Sequence, residues 1–204
     1  ITGLREEIRK ARQNTNGIIG VNIMVALSNY DDLVKTSIEE GIDIVISGAG
    51  LPLDLPKYLY PGCKTRLIPI VSSGRAAALI CNKWLTNYNY LPDAVIVEGP
   101  KAGGHLGFKP EQIFDENYAL EKLIPEVVKA VNEVASITGK QIPVIAAGGI
   151  YTGADIAKIM RLGASGVQMG TRFVTTHECD ASMEFKQAYL NAKKEDVRII
   201  KSPV

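Results

Sequence analysis

The segment VEGPKAGGHLGF, residues 97–108, contains His105, one of only two histidines in the chain. This histidine follows a pair of glycines and comes shortly after an apolar run that predicts a buried strand. An unperturbed imidazole titrates at about pH 6.5, so His105 can take up a proton or donate one to a developing anion at neutral pH. A lone histidine is more often structural, but its place behind a double glycine at a strand end makes His105 a candidate for a catalytic role.

The other residues with reactive or polar groups also follow apolar runs. They are Asn22 and the segments SGAG (47–50), VSSG (71–74), EGPKAGGH (98–105), AAGGI (146–150) and QMGTRF (168–173). Because parallel strands covered by helices present their carboxyl ends on one face, where ligands bind, these residues are predicted to form a single site. Ser47 and Ser72 could contact a ligand there, although short polar loops are common at any strand end.

Two successive strand ends predict a phosphate site. Gly148 and Gly149 lead into a helix predicted to begin at Thr152 or Gly153, where backbone N–H groups and the helix dipole favour an anion. The next strand ends in QMGTRF, which adds a glycine and a threonine hydroxyl. This pair of units is typical of strands seven and eight of a TIM barrel. The visible strands would then be strands three to eight, with the first two upstream of Ile1.

The elements that must position these residues follow one pattern. Runs rich in valine and isoleucine predict strands that begin at Gly20, Ile42, Arg66, Ala94, Ile142 and Gly166. Segments with helical spacing of apolar residues lie between them, at 29–41, 74–85, 119–136 and 152–163. This alternation predicts an α/β fold with a parallel sheet, and its short repeat favours a barrel. Residues 105–120 (HLGFKPEQIFDENYAL) predict an ordered insertion above the strand ends.

Composition narrows the function classes. The chain has 204 residues, 23 basic and 22 acidic, and its formal charge of +1 gives no reason to expect a nucleic-acid or membrane partner. The three cysteines are widely spaced, so neither a disulfide framework nor a metal site is expected, and a cytoplasmic location fits best. The opening ITGLREEIRKARQ predicts an exposed helix, lacks a signal peptide and suggests a missing amino terminus. No linker divides residues 1–204, so we expect one domain.

Three segments carry a family resemblance: PDAVIVEGPKAGGHLG (92–107), IPVIAAGGI (142–150) and GASGVQMGTRF (163–173), preceded by GVNIM (20–24). They resemble the FMN-dependent nitronate monooxygenases, formerly called 2-nitropropane dioxygenases. The FMN-dependent enoyl-acyl carrier protein reductases belong to the same superfamily. The resemblance implies a TIM (β/α)8 barrel that binds FMN at the carboxyl ends of its strands. It also implies that the first two strands and the C-terminal helical region are absent from this chain.

The resemblance further implies roles for individual residues. Asn22 would hydrogen-bond the flavin ring, while Glu98 and Gly103 would line the flavin pocket. The ribityl phosphate and neighbouring atoms would be held by Gly149, Gln168, Met169, Gly170 and Thr171, although Met169 could equally be a core residue. His105 matches the active-site histidine of the family. Lys101 is a departure, because relatives often carry a glutamate there.

The implied activity is the oxidation of small alkyl nitronates with FMN and dioxygen. An FMN-dependent enoyl-acyl carrier protein reductase that uses NADH or NADPH stays open, since both share the AGGH motif. A non-catalytic phosphate-ligand binding module or truncated remnant is the third alternative. A homodimer is expected from the resemblance alone. His177 and Cys179, in a polar turn after the last strand, are expected to be loop or core residues.

Overall fold

The computed structural model describes residues 1–200 of the chain. Its strands are β1 (Gly20–Met24), β2 (Ile44–Gly48), β3 (Arg66–Val71), β4 (Val95–Glu98), β5 (Val144–Ala147) and β6 (Gly166–Gln168). Its α-helices are α1 (Thr2–Asn14), α2 (Tyr30–Glu39), α3 (Gly74–Tyr88), α4 (Leu120–Thr138), α5 (Gly153–Arg161), α6 (Thr171–Val174) and α7 (Met183–Asn191). Short 3-10 helices cover Leu55–Tyr58, Pro110–Gln112, Glu116–Tyr118 and Lys194–Asp196.

The six strands pair in chain order, and every pairing is parallel. A doubly wound sheet would reverse its strand order at a switch point, whereas a barrel keeps the order of the chain. The curled sheet is therefore part of a TIM barrel, which confirms the predicted fold class. Within residues 1–200, β1 and β6 each pair with one neighbour only.

Alternating residues of the strands form two apolar layers, because successive side chains of a strand point to opposite faces. The outer layer packs against the helices and includes Val45, Leu67, Val95 and Val97, together with Trp84 of α3. The Trp84 indole N–H donates to the Pro52 carbonyl at 2.9 Å, so its one polar group is satisfied. The inner layer, inside the curl of the sheet, is built from Ile68, Ala94, Ile96 and Ala147, with Ile44, Ile46, Ile70 and Ile145 packed on them.

All six predicted strands and the five predicted helices α1–α5 are present, with β2 and β5 beginning two residues later than predicted, and the largest boundary error is at β6. The segment GVQMGTRF was predicted as a strand from Gly166, yet the strand ends at Gln168 and Thr171–Val174 is helical. Residues 105–120 contain two 3-10 helices, so the predicted insertion is ordered. Helix α7 was not predicted. None of the helices described is long and apolar enough to cross a lipid bilayer.

Candidate functional site

Three of the predicted site residues lie on the inner face of the sheet. Asn22 is in register with Ile46, a residue of the inner layer. Glu98 is in register with Ala147, which in turn is in register with Gln168. Residues in register on parallel strands project to the same face, so all three polar side chains project into the curl of the sheet. Ala147 separates Glu98 from Gln168 with only a methyl group, which leaves space between the two polar groups.

Glu98 stands at the carboxyl end of β4 and is half-buried. Burial raises the pKa of its carboxyl group from an ordinary value of 4.5 to about 7. Its carboxyl group has no hydrogen-bond partner among residues 1–200, so no neighbouring group opposes this shift. The raised pKa brings the protonation of Glu98 close to neutral pH, so the side chain can donate or accept a proton there.

The loop that carries His105 follows β4 and packs on the end of the neighbouring strand, β5. The Gly99 N–H donates to the Ala147 carbonyl at 2.9 Å, and the Ala102 N–H donates back to the Gly99 carbonyl at 3.1 Å. Gly148 lies under this turn with a φ of 104°. A side chain at Gly148 would collide with the turn, since its β-carbon would lie 2.9 Å from the Ala102 nitrogen. The loop after β4 is thus seated on the loop after β5.

The same loop is held again beyond the histidine. The Ser72 hydroxyl, just after β3, donates to the Gly107 carbonyl at 3.3 Å. Gly107 packs directly on Ser72, because a β-carbon there would be 2.8 Å from the Ser72 hydroxyl oxygen. The loop is therefore held on both sides of His105, by contacts at the carboxyl ends of β3 and β5.

The His105 imidazole presents an unpaired polar atom. Its Nε2 is buried and has no hydrogen-bond partner within the described residues. Leaving a buried polar atom unpaired costs about 1–3 kcal/mol, so a site of this kind is expected to be completed by a ligand. Gly103, two residues earlier, has open space around it, with no heavy atom within 4 Å of where a β-carbon would stand. Space and an unpaired nitrogen thus occur in the same loop.

The loop after β5 has backbone donors of the kind expected for a phosphate site. Gly149 has a φ of 73°, and the Lys101 side chain packs 3.0 Å from where its β-carbon would stand. The N–H groups of Gly149 and Ile150 have no acceptor in the part of the chain that the structure describes. They are therefore among the donors of this loop that remain available to an anion.

The start of α5 is only partly occupied, because the N–H groups of Gly153 and Ala154 have no acceptor within residues 1–200. Helix α5 begins at Gly153 as expected, with Thr152 as its N-cap. The Asp155 carboxylate accepts from the Thr152 N–H at 2.8 Å and from the Tyr151 N–H at 3.1 Å. These bonds and the one from the Thr152 hydroxyl hold the pKa of Asp155 below its usual value. A negative charge therefore lies beside the helix start, and binding of a phosphate by the first N–H groups of α5 stays a prediction.

The residues at the end of β6 and just beyond it divide between the two faces. Gln168 faces inward, and the Met169 side chain packs on the outer layer, so only the Met169 backbone is available to a ligand inside the sheet. Gly170 and Thr171 are exposed, and α6 begins there. Within residues 1–200 the N–H groups of both lack an acceptor.

Other residues considered from the sequence lie outside this site. Ser47 is fully buried on the outer face, where its hydroxyl donates to the Ile23 carbonyl at 3.0 Å and pairs with the Tyr30 hydroxyl. His177 is exposed and Cys179 half-buried, both beyond α6.

Ser72 was considered from the sequence only as a possible ligand contact. Its hydrogen bond to the Gly107 carbonyl joins residues 35 positions apart and could not be found from sequence patterns.

The residues of this inner face fit a flavin nucleotide. A flat ring system needs an apolar floor with polar groups at its edges, which the inner layer, Asn22, Glu98 and Gln168 supply. A phosphate needs free backbone donors, which the Gly149 and Thr171 loops supply. The unpaired His105 Nε2 lies in the loop above this floor.

Comparisons with known proteins identify the family of the chain. The family model described as nitronate monooxygenase matches residues 2–204. A probable nitronate monooxygenase from Staphylococcus aureus (strain Newman) is 38% identical over 238 aligned residues, covering 98% of this chain and 62% of that protein. A (3aS,4S,5R,7aS)-5-hydroxy-7a-methyl-1-oxo-octahydro-1H-indene-4-carboxyl-CoA dehydrogenase from Mycobacterium tuberculosis is 32% identical, covering 93% of this chain and 47% of that protein.

Among solved structures, FabK from Thermotoga maritima superimposes with a TM-score of 0.73 and 37% identity, covering 93% of this chain and 52% of that chain. The chain thus spans about half to three fifths of the length of these relatives. The family match extends over nearly every residue, including the strand ends that build the inner site. By fold, motifs and sequence identity, the chain belongs to the nitronate monooxygenase family of flavin-dependent oxidoreductases.

Proposed function

We propose that the protein binds FMN at the carboxyl ends of its strands and oxidises alkyl nitronates with dioxygen. The observation that carries the proposal is the buried, unpaired Nε2 of His105 above a polar-edged inner face. A substrate oxygen placed between His105 and the floor of the site would complete the missing hydrogen bond. When bound, FMN would supply the redox chemistry, taking electrons from the substrate and passing them to dioxygen.

The strand ends supply two kinds of contact for the cofactor. Asn22, Glu98 and Gln168, which share the inner face, would hydrogen-bond the edges of the ring system. The free N–H groups of Gly149, Gly170 and Thr171 would bind the phosphate, with open space at Gly103 for the ring. Backbone donors are suited to this task because they need no reorganisation when the anion arrives.

His105 would act on the substrate. A nitronate carries its negative charge on the nitro oxygens, and a protonated Nε2 would donate a hydrogen bond to one of them. With a neutral nitroalkane the same nitrogen would take the proton from the α-carbon. Both roles require that the imidazole be held in place, and the contacts at Gly148 and Ser72 provide this on either side.

Glu98 sets the charge of the site. Its raised pKa keeps much of it neutral near pH 7, so it would repel an anionic nitronate less than an ordinary glutamate would. In the neutral form its hydroxyl would donate to the flavin ring. We therefore expect the protonated form of Glu98 to be the one that favours an anionic substrate.

The second candidate is an activity that reduces or oxidises the acyl group of a thioester. The relative from Mycobacterium tuberculosis is named for a carboxyl-CoA substrate, and it is 32% identical to this chain. In an enoyl reductase the same Nε2 would stabilise the enolate of the thioester, and NADH or NADPH would be the electron donor. The two candidates thus use the same residue and differ in the compound that reduces the flavin.

The deciding experiment is anaerobic reduction of the FMN-loaded protein, followed by flavin absorbance. The protein is mixed separately with an alkyl nitronate, with NADH and with NADPH. Rapid bleaching by the nitronate alone supports the first candidate. Bleaching by a nicotinamide alone, followed by reoxidation with an enoyl thioester, would overturn it in favour of the second. The variant His105→Asn, loaded with FMN to the same extent, is the control for a reaction at this site.

A further inference from the structure

Tyr151 and Arg172 join the two loops that end β5 and β6. The guanidinium carbon of Arg172 lies 4.7 Å from the centre of the Tyr151 ring, which is the distance of a cation–π contact. Tyr151 is two residues beyond Gly149, and Arg172 directly follows Thr171. The contact therefore places a positive charge beside both loops with free backbone donors.

Core packing does not explain this pair. The Tyr151 side chain is 51% exposed, and Arg172 is exposed as well. No carboxylate forms an ion pair with Arg172 within residues 1–200. The acidic group close by in sequence, Asp155, is directed to Thr152 and the Tyr151 N–H instead. The charge of Arg172 is thus held in place without being neutralised.

A guanidinium in contact with an aromatic ring keeps N–H groups available for hydrogen bonds. These five donors match the oxygens of a phosphate, and the contact with Tyr151 reduces the conformational freedom that binding would otherwise remove. The pair has the features of a preorganised phosphate contact: a fixed cation, an unpaired donor edge and adjacent backbone N–H groups.

We infer that Arg172, held by Tyr151, binds the phosphate of the flavin and makes the site selective for FMN over riboflavin. This inference rests on the proposed function, because it requires a flavin on the inner face. Riboflavin shares the ring and ribityl chain of FMN and lacks the phosphate. The ratio of the two dissociation constants therefore isolates the contribution of the phosphate contact from that of the ring.

The test measures FMN and riboflavin binding to the flavin-free protein by quenching of flavin fluorescence. We expect Arg172→Gln to weaken FMN binding about tenfold, as for the loss of a charge-assisted hydrogen bond, and to leave riboflavin binding unchanged. Tyr151→Ala should weaken FMN binding about threefold by releasing the guanidinium, whereas Tyr151→Phe, which keeps the ring face, should have no effect. Arg161→Gln, an exposed arginine in the last turn of α5, is the matched control and should not change the ratio.

Different outcomes would contradict the phosphate contact of Arg172 and the proposal that the protein binds FMN. An unchanged ratio in Arg172→Gln, or a wild-type protein that binds both flavins equally, overturns the inference and leaves flavin binding intact. A wild-type protein that binds neither flavin overturns the proposed function together with the inference. If Arg172→Gln fails to fold in a thermal unfolding control, the comparison of Tyr151→Ala with Tyr151→Phe decides.

Discussion

A β-carbon on Gly148 would lie 2.9 Å from the backbone nitrogen of Ala102, so the loop that carries His105 rests directly on the end of β5. Gly148 also has a φ of 104°, which side chains other than hydrogen rarely allow. Both constraints act at one position, and both depend on the absence of a side chain there. The position of the histidine loop therefore depends on a glycine that takes no part in chemistry.

Replacing Gly148 with alanine is expected to lower the free energy of unfolding by about 1–3 kcal/mol for the strained backbone, and further for the contact with Ala102. It should also lower turnover, because the loop must move. Urea denaturation and steady-state rates measure the two effects. Gly41→Ala is the control, since Gly41 has a φ of 69° and nothing within 4 Å of a new β-carbon. Gly41→Ala should cost about 1 kcal/mol and leave turnover unchanged, and equal effects of both changes would contradict the argument.

The fold could be predicted from the sequence because its strands are apolar runs flanked by glycines, and strong patterns of this kind depend on local residues only. The end of β6 could not be predicted in the same way. Its strand is three residues long and α6 is four, which is too short for a period to be recognised. The strand-end residues could be named as candidates because parallel strands end on one face.

Which of these candidates are free to bind was not readable from the sequence. The Asp155 carboxylate accepts from the N–H groups just before α5, and Ser47 points to the outer face, because of contacts that depend on folded geometry. The Met169 side chain packs away from the site for the same reason, since the face of a residue follows from the register of its strand. Sequence patterns therefore located the candidate site. They did not show which of its polar groups are already bonded within the protein and which are free to bind a ligand.

The variant His105→Asn is expected to bind FMN normally and to lose at least about a hundredfold in turnover, which is the range for removing a general acid or base. Asparagine preserves polarity and size but cannot exchange a proton. The flavin absorbance spectrum measures binding, and oxygen consumption with an alkyl nitronate measures turnover. His177→Asn changes the exposed histidine beyond α6 and should have no effect. Near-normal turnover in His105→Asn would remove the proposed role.

Glu98 is expected to make stability depend on pH. Below its ordinary pKa of 4.5 the group is protonated in both the folded and the unfolded chain. Between 4.5 and about 7 the unfolded chain releases the proton while the folded protein retains it, so stability falls as pH rises through this window. The whole shift corresponds to about 3 kcal/mol, which solvent around the half-buried carboxyl reduces to about 1–2 kcal/mol.

Glu98→Gln should abolish this component, because glutamine does not ionise. Urea denaturation of the flavin-free protein at several pH values compares the variant with the wild type. The difference in the free energy of unfolding should change little below about pH 4.5 and should shift in favour of the variant up to about pH 7. Parallel pH profiles for the two proteins would show that the carboxyl group is not buried in solution as it is in the structure.

The Asp155 carboxylate lies at the start of α5, beside the loop expected to bind phosphate. Asp155→Asn keeps an oxygen that can accept from the Thr152 N–H, and it removes the negative charge. We therefore expect FMN to bind about two- to threefold more tightly in low salt and riboflavin to bind as before, with the gain reduced at high ionic strength because salt screens exposed charges. Fluorescence titrations in low and high salt measure this. Weaker FMN binding in the variant would mean that the carboxylate orders the loop for the phosphate rather than opposing it.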